Sequence, residues 1–184
     1  MTPAAGQKKK VAQPGVIVID TREQLPLEFG AEWRTVRGYL PVGDYSLAGF
    51  HTPINAGIII ERKSKNDFVN SFIHHREQEM AKIQKMKAFR FRAYVIEATR
   101  GEIERGEYES ETKPQSLLQT IFAVQVRHNV HFAFEGTPDG CARQIESWFR
   151  QFARGIEKDY KALHKSVDDF TNTVASDAGD AANG

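Results

Sequence analysis

The residues best suited to chemistry lie between Val42 and Asp67. Asp44 directly follows a glycine, and Glu61 and Lys63 stand at the end of an apolar run typical of a buried strand. Side chains alternate along a strand, so Glu61 and Lys63 point to one face and Arg62 points to the other. Two carboxylates beside an ammonium can hold a hydrated divalent cation during phosphodiester hydrolysis. An isolated Glu-x-Lys also fits a surface ion pair, so the interpretation depends on the neighbouring motifs.

A second apolar strand leads into the charged residues Asp20, Arg22 and Glu23. The chain thus carries Ile-Asp-x-Arg-Glu, Gly-Asp-Tyr and Glu-Arg-Lys-x-x-x-Asp, in that order. This pattern resembles the nuclease domain of the XPF family of structure-specific endonucleases, a branch of the restriction-endonuclease-like PD-(D/E)XK group. The resemblance covers residues 15–161. Without the helicase and helix-hairpin-helix modules of larger family members, the chain is expected to be a stand-alone form.

The resemblance implies an endodeoxyribonuclease that depends on Mg²⁺ or Mn²⁺ and acts on branched, flap or fork DNA in repair or recombination. Asp44 and Glu61 are the expected main metal ligands. Asp20 matches another acidic position of the family and is expected to bind the same ion, a second ion or a positioning lysine. The predicted catalytic residues are Asp20, Asp44, Glu61, Arg62, Lys63 and Asp67.

Basic side chains near these acids have predicted roles of their own. Lys63 would orient or deprotonate the attacking water and neutralise charge on phosphorus. Arg62 points away from that face and would brace Asp67 or another carboxylate. Arg76 resembles the helix arginine of the family, although Glu77 replaces the aromatic residue that often follows it. The predicted substrate-binding residues are Arg22, Lys65 and Arg76.

The same residues also fit other functions. A catalytically silent module that binds DNA or a partner nuclease would usually lose site residues, and these are present. The alternative that the chain is an enzyme of the same fold that cuts RNA stays open. His75 and Glu79 have the spacing of zinc ligands on a helix, but no third ligand is nearby, so surface histidines are favoured. No glycine-rich loop of the Walker type occurs, which argues against a nucleotide cofactor.

Composition limits the compartment and the partners. The single cysteine, Cys141, fits a reducing compartment, and no apolar run is long enough to span a membrane. The start of the chain lacks a signal-peptide pattern, so a cytoplasmic protein is expected. The net charge is +1, yet residues 62–100 carry ten basic against four acidic side chains. This local excess fits a polyanionic partner such as DNA.

Apolar periodicity and chain breakers predict the elements that position the site. Short strands follow one another early in the chain and suggest an antiparallel meander that pairs the strands of Asp44 and Glu61. Asp67 is expected to cap a helix. The region 99–112 has no apolar period and is expected to be an exposed loop. The predicted strands are 16–20, 33–40, 45–47, 58–63, 91–98 and 130–134, and the predicted helices are 67–87, 114–128 and 139–164.

These elements predict one α/β domain, a restriction-endonuclease-like mixed sheet flanked by helices. The expected divisions are a flexible arm over 1–14, the nuclease domain over 15–165 and a disordered acidic tail over 166–184. The tail contains four aspartates and no Lys or Arg. The helices over 114–128 and 139–164 carry more large apolar side chains than one sheet face needs. This surplus suggests a homodimer.

Overall fold

A computed structural model describes residues 15–52 and 57–181 of the 184, with side chains described as far as 172. The predicted arm over 1–14 lies outside the described residues. The chain divides after Glu146 into two units, and the last helix runs through the division. In chain order, the elements are β1 (Val16–Asp20), β2 (Arg34–Gly38), β3 (Tyr45–Leu47), β4 (Ile58–Ser64), α1 (Lys65–Ile73), α2 (Arg76–Met86), β5 (Phe91–Glu97), α3 (Arg100–Arg105), α4 (Pro114–His128), β6 (His131–Phe134) and α5 (Pro138–Ala181).

The strands form a six-stranded mixed sheet in the order β2-β1-β3-β4-β5-β6, which confirms the predicted fold class. Strand β3 runs antiparallel to both of its neighbours, β1 and β4, and the remaining neighbours are parallel. Helices α1 and α2 connect β4 to β5, and α3 and α4 connect β5 to β6, as crossovers between parallel strands require.

The predicted meander is right for β3 and β4 and wrong for β2. Strand β2 pairs in parallel with the outer edge of β1, with Val16 opposite Arg34. The physical reason is the long connection over residues 21–33, which returns the chain to the start of β1 before β2 begins. A meander needs short turns, and this loop is too long to impose one.

A hydrophobic core covers the face of the sheet that carries Glu61 and Lys63. Burying each of its Phe, Leu or Ile side chains contributes about 1.5–3 kcal/mol, so this core fixes α1 and α2 against the sheet. Its members from helices α1, α2 and α4 and from strand β5 are Phe68, Val69, Phe72, Ile83, Met86, Leu117, Ile121, Val124, Tyr94 and Ile96.

The predicted helix 67–87 is wrong at its start and in its continuity. Ser64, and not Asp67, is the N-cap residue, because the Ser64 hydroxyl accepts a hydrogen bond from the backbone N–H of Asp67 at 3.3 Å. The chain then breaks at His74 and His75, whose backbone N–H groups both donate to the carbonyl of Asn70. Neither histidine is a helix breaker, and the apolar spacing continues across them, so the pattern could not reveal the break.

The expected loop over 99–112 contains α3, so that expectation is wrong. Thr99 and Glu102 form a capping box, and Gly106 ends the helix with a φ of 74°. Helix α5 also runs to Ala181, past its predicted end near residue 164 and through most of the segment expected to be disordered. Apolar residues continue at helical spacing past residue 164, at Val167 and Phe170, and the composition of the tail obscured this signal. None of the described helices has the length and apolar character needed to cross a membrane.

Candidate active site

A glycine turn and strand pairing bring Asp44 next to Glu61, as predicted. Gly43 has a φ of 75°, and a Cβ there would lie 3.0 Å from the carbonyl oxygen of Ile60, so the turn favours glycine. The backbone N–H of Asp44 donates to that carbonyl at 2.9 Å. One carboxylate oxygen of Asp44 accepts from the backbone N–H of Arg62 at 2.7 Å. The side chain of Asp44 is therefore fixed beside the end of β4.

A cluster of charged side chains surrounds Glu61. The Nζ of Lys63 lies 3.1 Å from Oε1 of Glu61 and 3.5 Å from Oε2 of Glu79. Lys82 contacts the same Glu61 oxygen and lies 3.9 Å from Oε1 of Glu79. The hydroxyl of Tyr94 donates a hydrogen bond to Glu79. Strand β4, helix α2 and strand β5 thus hold one network of ion pairs and hydrogen bonds.

The pKa values of this network follow from burial and from its own charges. Burial and then the negative charge of Glu61 raise the pKa of Asp44 to about 7. Burial acts to lower the pKa of Lys63, but the charges of Glu61 and Glu79 outweigh it and leave that pKa above its ordinary value. The ammonium is therefore held in its charged form, whereas ionised Asp44 is poorly compensated. A cation beside Asp44 would relieve this imbalance.

Asp20 borders the same region, but its carboxylate oxygens already accept hydrogen bonds from the protein. One oxygen accepts from the backbone N–H of Arg22 at 2.9 Å and from its Nε at 2.6 Å, and the other accepts from the N–H of Leu40 at 2.7 Å. Burial would raise the pKa of Asp20, yet these bonds lower it. Within the described ranges, no three His, Cys, Asp or Glu side chains form a group that could hold a metal ion. The structure therefore brings Asp44 and Glu61 together, and Asp20 lines the same cavity with both of its oxygens already hydrogen-bonded.

Two cavities are lined by residues of this network and its surroundings. The first, of about 400 Å³, is lined by both acidic and basic side chains. The second, of about 540 Å³, is lined by Lys63 and Asp67 among others. The charged residues that line the first cavity are Asp20, Arg22, Asp44, Glu61, Lys82 and Lys85. Acids that suit a cation thus lie beside bases that suit phosphate oxygens.

Comparison with known proteins places this arrangement in a family. Residues 19–146 match the model of the ERCC4 domain. The chain belongs to the ERCC4 domain family. Among solved structures, XPF from Aeropyrum pernix matches with a TM-score of 0.55 and 21% identity over 74% of this chain and 60% of that one. A structure of XPF from Aeropyrum pernix in complex with DNA matches with a TM-score of 0.56 and 21% identity over 77% of this chain and 66% of that one.

These matches confirm the resemblance to XPF and the fold of this ERCC4 domain. The chain spans 60–66% of the length of the solved XPF chains. No curated protein matches the sequence.

The prediction for Arg62 left open whether it braces Asp67 or another carboxylate. In this ERCC4 domain, Arg62 braces another carboxylate. That carboxylate belongs to Glu97, and the guanidinium also donates to the carbonyl of Leu25 at 2.6 Å. Asp67 instead accepts a hydrogen bond from the Ser64 hydroxyl at 2.7 Å. Arg62 therefore joins β4 to β5 and to the loop after β1.

The three predicted substrate-binding residues have different surroundings. Arg22 lines the first cavity. Lys65 is paired with Glu102 at 2.8 Å, and Arg76 donates to the hydroxyl of Thr120 at 3.4 Å. The structure thus places Arg22 at the cavity and gives Lys65 and Arg76 partners elsewhere.

Sequence reasoning missed Glu79 and Tyr94 as members of the site. The buried residues of α2 are Glu79, Ile83 and Met86, which follow helical spacing along one face. A carboxylate in line with core residues was therefore a signal in the sequence. The same contacts remove the zinc alternative, because His75 is exposed while Glu79 points inward to other partners.

Proposed function

We propose that this ERCC4 domain is a metal-dependent DNA endonuclease that hydrolyses phosphodiester bonds in branched, flap or fork DNA. The observation that supports it best is the half-buried Asp44 beside the buried Glu61, with the ammonium of Lys63 at 3.1 Å from Glu61. The XPF relative solved with DNA supports the same class of partner.

The residues present fit a divalent cation. Mg²⁺ needs only one or two protein carboxylates and retains several waters, so Asp44, Glu61 and the backbone carbonyl of Arg62 would suffice to hold Mg²⁺ or Mn²⁺. Burial, and then the charge of Glu61, raise the pKa of Asp44, so a bound cation would stabilise its ionised form. When bound, the ion would act as a Lewis acid toward the phosphate. Asp20 would shape the cavity through Arg22 and Leu40, which its oxygens already bind.

The side chains of the chain itself would orient the substrate. Lys63 is held charged by Glu61 and Glu79, so it would orient the water and stabilise negative charge on phosphorus and would not serve as the base. Arg22 and Lys85 on the cavity wall would contact phosphate oxygens. Attack of water on phosphorus with cleavage of the bond to the 3′ oxygen would leave a 5′-phosphate and a 3′-hydroxyl.

The test uses purified protein with fork, flap and linear DNA in the presence of Mn²⁺. We expect Asp44→Asn and Lys63→Ala to abolish cleavage while DNA binding is largely retained. Glu77→Gln, a change at an exposed acid of α2, is the matched control and should cleave normally. Unchanged cleavage in either site variant would remove the proposed site.

Two alternatives are outcomes of the same experiment. The ammonium of Lys82 already contacts Glu61, which would suit a catalytically silent module that binds DNA or a partner nuclease. Such a module would bind all three DNAs and cut none of them. A parallel assay on RNA of the same design would identify a ribonuclease. We also propose a cytoplasmic location, which the single buried thiol of Cys141 supports.

A further inference from the structure

We propose that Glu79 of α2 is a positioning residue, which fixes the ammonium of Lys63 and makes α2 part of the active site. The inference rests on the proposed nuclease function, because it concerns the residue that would orient the attacking water. Its physical basis is a second carboxylate within 3.5 Å of the Lys63 ammonium, in addition to that of Glu61.

The burial of Glu79 calls for an explanation. Only 5% of its surface is exposed, although it belongs to a helix whose neighbouring residues Glu77 and Gln78 are exposed. A buried carboxylate is costly unless partners compensate for its lost hydration. Tyr94 supplies a hydrogen bond to one oxygen, and Lys63 supplies a positive charge 3.5 Å from the other. Both partners lie on the strands of the site.

Two anchors position an ammonium better than one. A single ion pair with Glu61 would let the long side chain of Lys63 follow that carboxylate through several rotamers. With Glu61 at 3.1 Å and Glu79 at 3.5 Å, Nζ is confined between a strand and a helix. The helix is itself fixed, because Ile83 and Met86 are fully buried in the core. Glu79 therefore transmits the rigidity of the core to the group that would orient the attacking water.

The competing explanation is that Glu79 merely satisfies the buried hydroxyl of Tyr94. Glu79→Gln separates the two roles, because the amide keeps the size of the side chain and an oxygen that accepts from Tyr94 but removes the charge. Glu77→Gln removes a charge of the same sign from the same helix at an exposed position and is the matched control.

The first measurement is single-turnover cleavage of flap DNA together with the dissociation constant for DNA. Loss of a partner that orients a site residue typically costs about 10- to 100-fold in activity, and we expect a fall of that size in the single-turnover rate constant of Glu79→Gln. DNA binding should stay within the range of the Glu77→Gln control. An unchanged single-turnover rate constant, or a loss explained entirely by weaker DNA binding, would overturn the proposal.

The second measurement does not need metal, DNA or activity. The side-chain ¹³Cε and ¹⁵Nζ resonances of Lys63 are recorded in lysine-labelled protein and assigned by their loss in Lys63→Arg. They should shift in Glu79→Gln and stay in place in Glu77→Gln, and unshifted resonances in Glu79→Gln would overturn the proposal. If the wild type cuts no DNA, the nuclease function fails, while the resonances still decide whether Glu79 holds Lys63. If Glu79→Gln does not fold, Glu79→Asp withdraws the carboxylate by one methylene, and the same readouts apply.

Discussion

At the scale of single residues, Asp44 combines a structural hydrogen bond with an unfavourable charge. Its pKa of about 7 in the folded chain lies above its ordinary value of 3.8. Between these values the folded state keeps a proton that the unfolded state releases, so the free energy of unfolding decreases as pH rises through this window. Asn would keep the acceptor for the N–H of Arg62 and lose the charge. We expect Asp44→Asn to melt several degrees above the wild type near pH 8 without metal, since about 1 kcal/mol shifts melting by about 2–4 °C in a chain of this size.

Thermal melts followed by circular dichroism, near pH 8 and near pH 4 in the presence of a chelator, measure this difference. The two proteins should converge near pH 4, where the folded wild type is protonated at Asp44. Adding Mn²⁺ near pH 8 should raise the melting temperature of the wild type and leave Asp44→Asn unchanged, because a ligand stabilises the state that binds it. If Asp44→Asn is less stable than the wild type near pH 8, the raised pKa of Asp44 is contradicted.

Lys82 contacts Oε1 of Glu61, a carboxylate proposed to hold the metal ion, so the two cations should compete. A partly exposed ion pair is worth about 0.2–1 kcal/mol, which corresponds to an affinity change of up to about fivefold. We expect Lys82→Met to bind Mn²⁺ more tightly by up to that factor, as measured by isothermal titration calorimetry without DNA. Lys85→Met is the control, because Lys85 lines the same cavity one turn along α2. Equal affinity in both variants would show that Lys82 does not compete at Glu61.

The sequence contained enough information to predict that Asp44, Glu61 and Lys63 lie near one another, because strand alternation and a glycine turn are local rules. It could not supply the ion pair between Lys63 and Glu79, since that contact depends on where α2 lies over the sheet. Helix α1 ends at His74 and α2 begins anew at Arg76, a break that the apolar spacing did not reveal. Side chains joined by one strand were thus predictable, and a partner from another element was not.

At the scale of elements, β4 was predicted closely, whereas the pairing of β2 and the presence of α3 were missed. Three isoleucines leading into Glu61 predicted β4 closely, whereas the parallel partner of β2 depended on the path of a long loop. Helix α3 had a local signal, the Thr99-x-x-Glu102 capping box, which its Glu, Gly and Arg content obscured. Local chemistry therefore fixed the element, although hydrophobic periodicity did not reveal it.

The capping box makes α3 testable. The hydroxyl of Thr99 accepts from the N–H of Glu102 at 3.2 Å, and the N–H of Thr99 donates to the Glu102 carboxylate at 2.6 Å. Thr99→Val keeps the shape and loses the acceptor, so we expect it to lower the free energy of unfolding by about 1 kcal/mol. Thr99→Ser keeps the hydroxyl and should stay near the wild type. Urea denaturation measures the free energy of unfolding of both variants, provided that its dependence on urea has the same slope in each. Equal midpoints for Thr99→Val and Thr99→Ser would show that the cap contributes nothing.

At the scale of the whole molecule, the exposed apolar residues indicate which surface would form the expected dimer. Helix α4 buries Leu117, Ile121 and Val124 within its own unit, so most of its apolar side chains already have partners there. The exposed apolar residues of α5 form a different set. Tyr160, Leu163, Val167 and Phe170 are 62%, 61%, 53% and 70% exposed, with alternating spacings of three and four residues. These spacings place the four side chains on one apolar face of α5, the seam, as the a and d positions of a coiled coil are placed. A second copy of the chain would offer the same seam.

We therefore expect the protein to form a dimer through α5, with a mass by multi-angle light scattering of twice the 20.8 kDa chain at tens of micromolar. Charges placed in the seam by Leu163→Glu with Phe170→Glu should leave a folded monomer, because burying two carboxylates against each other is unfavourable. Ala162→Glu with Asn172→Glu adds the same charge at exposed positions outside the seam and should remain dimeric. A wild-type monomer would refute the dimer. Dissociation of both double variants would mean that net charge, and not the seam, controls assembly.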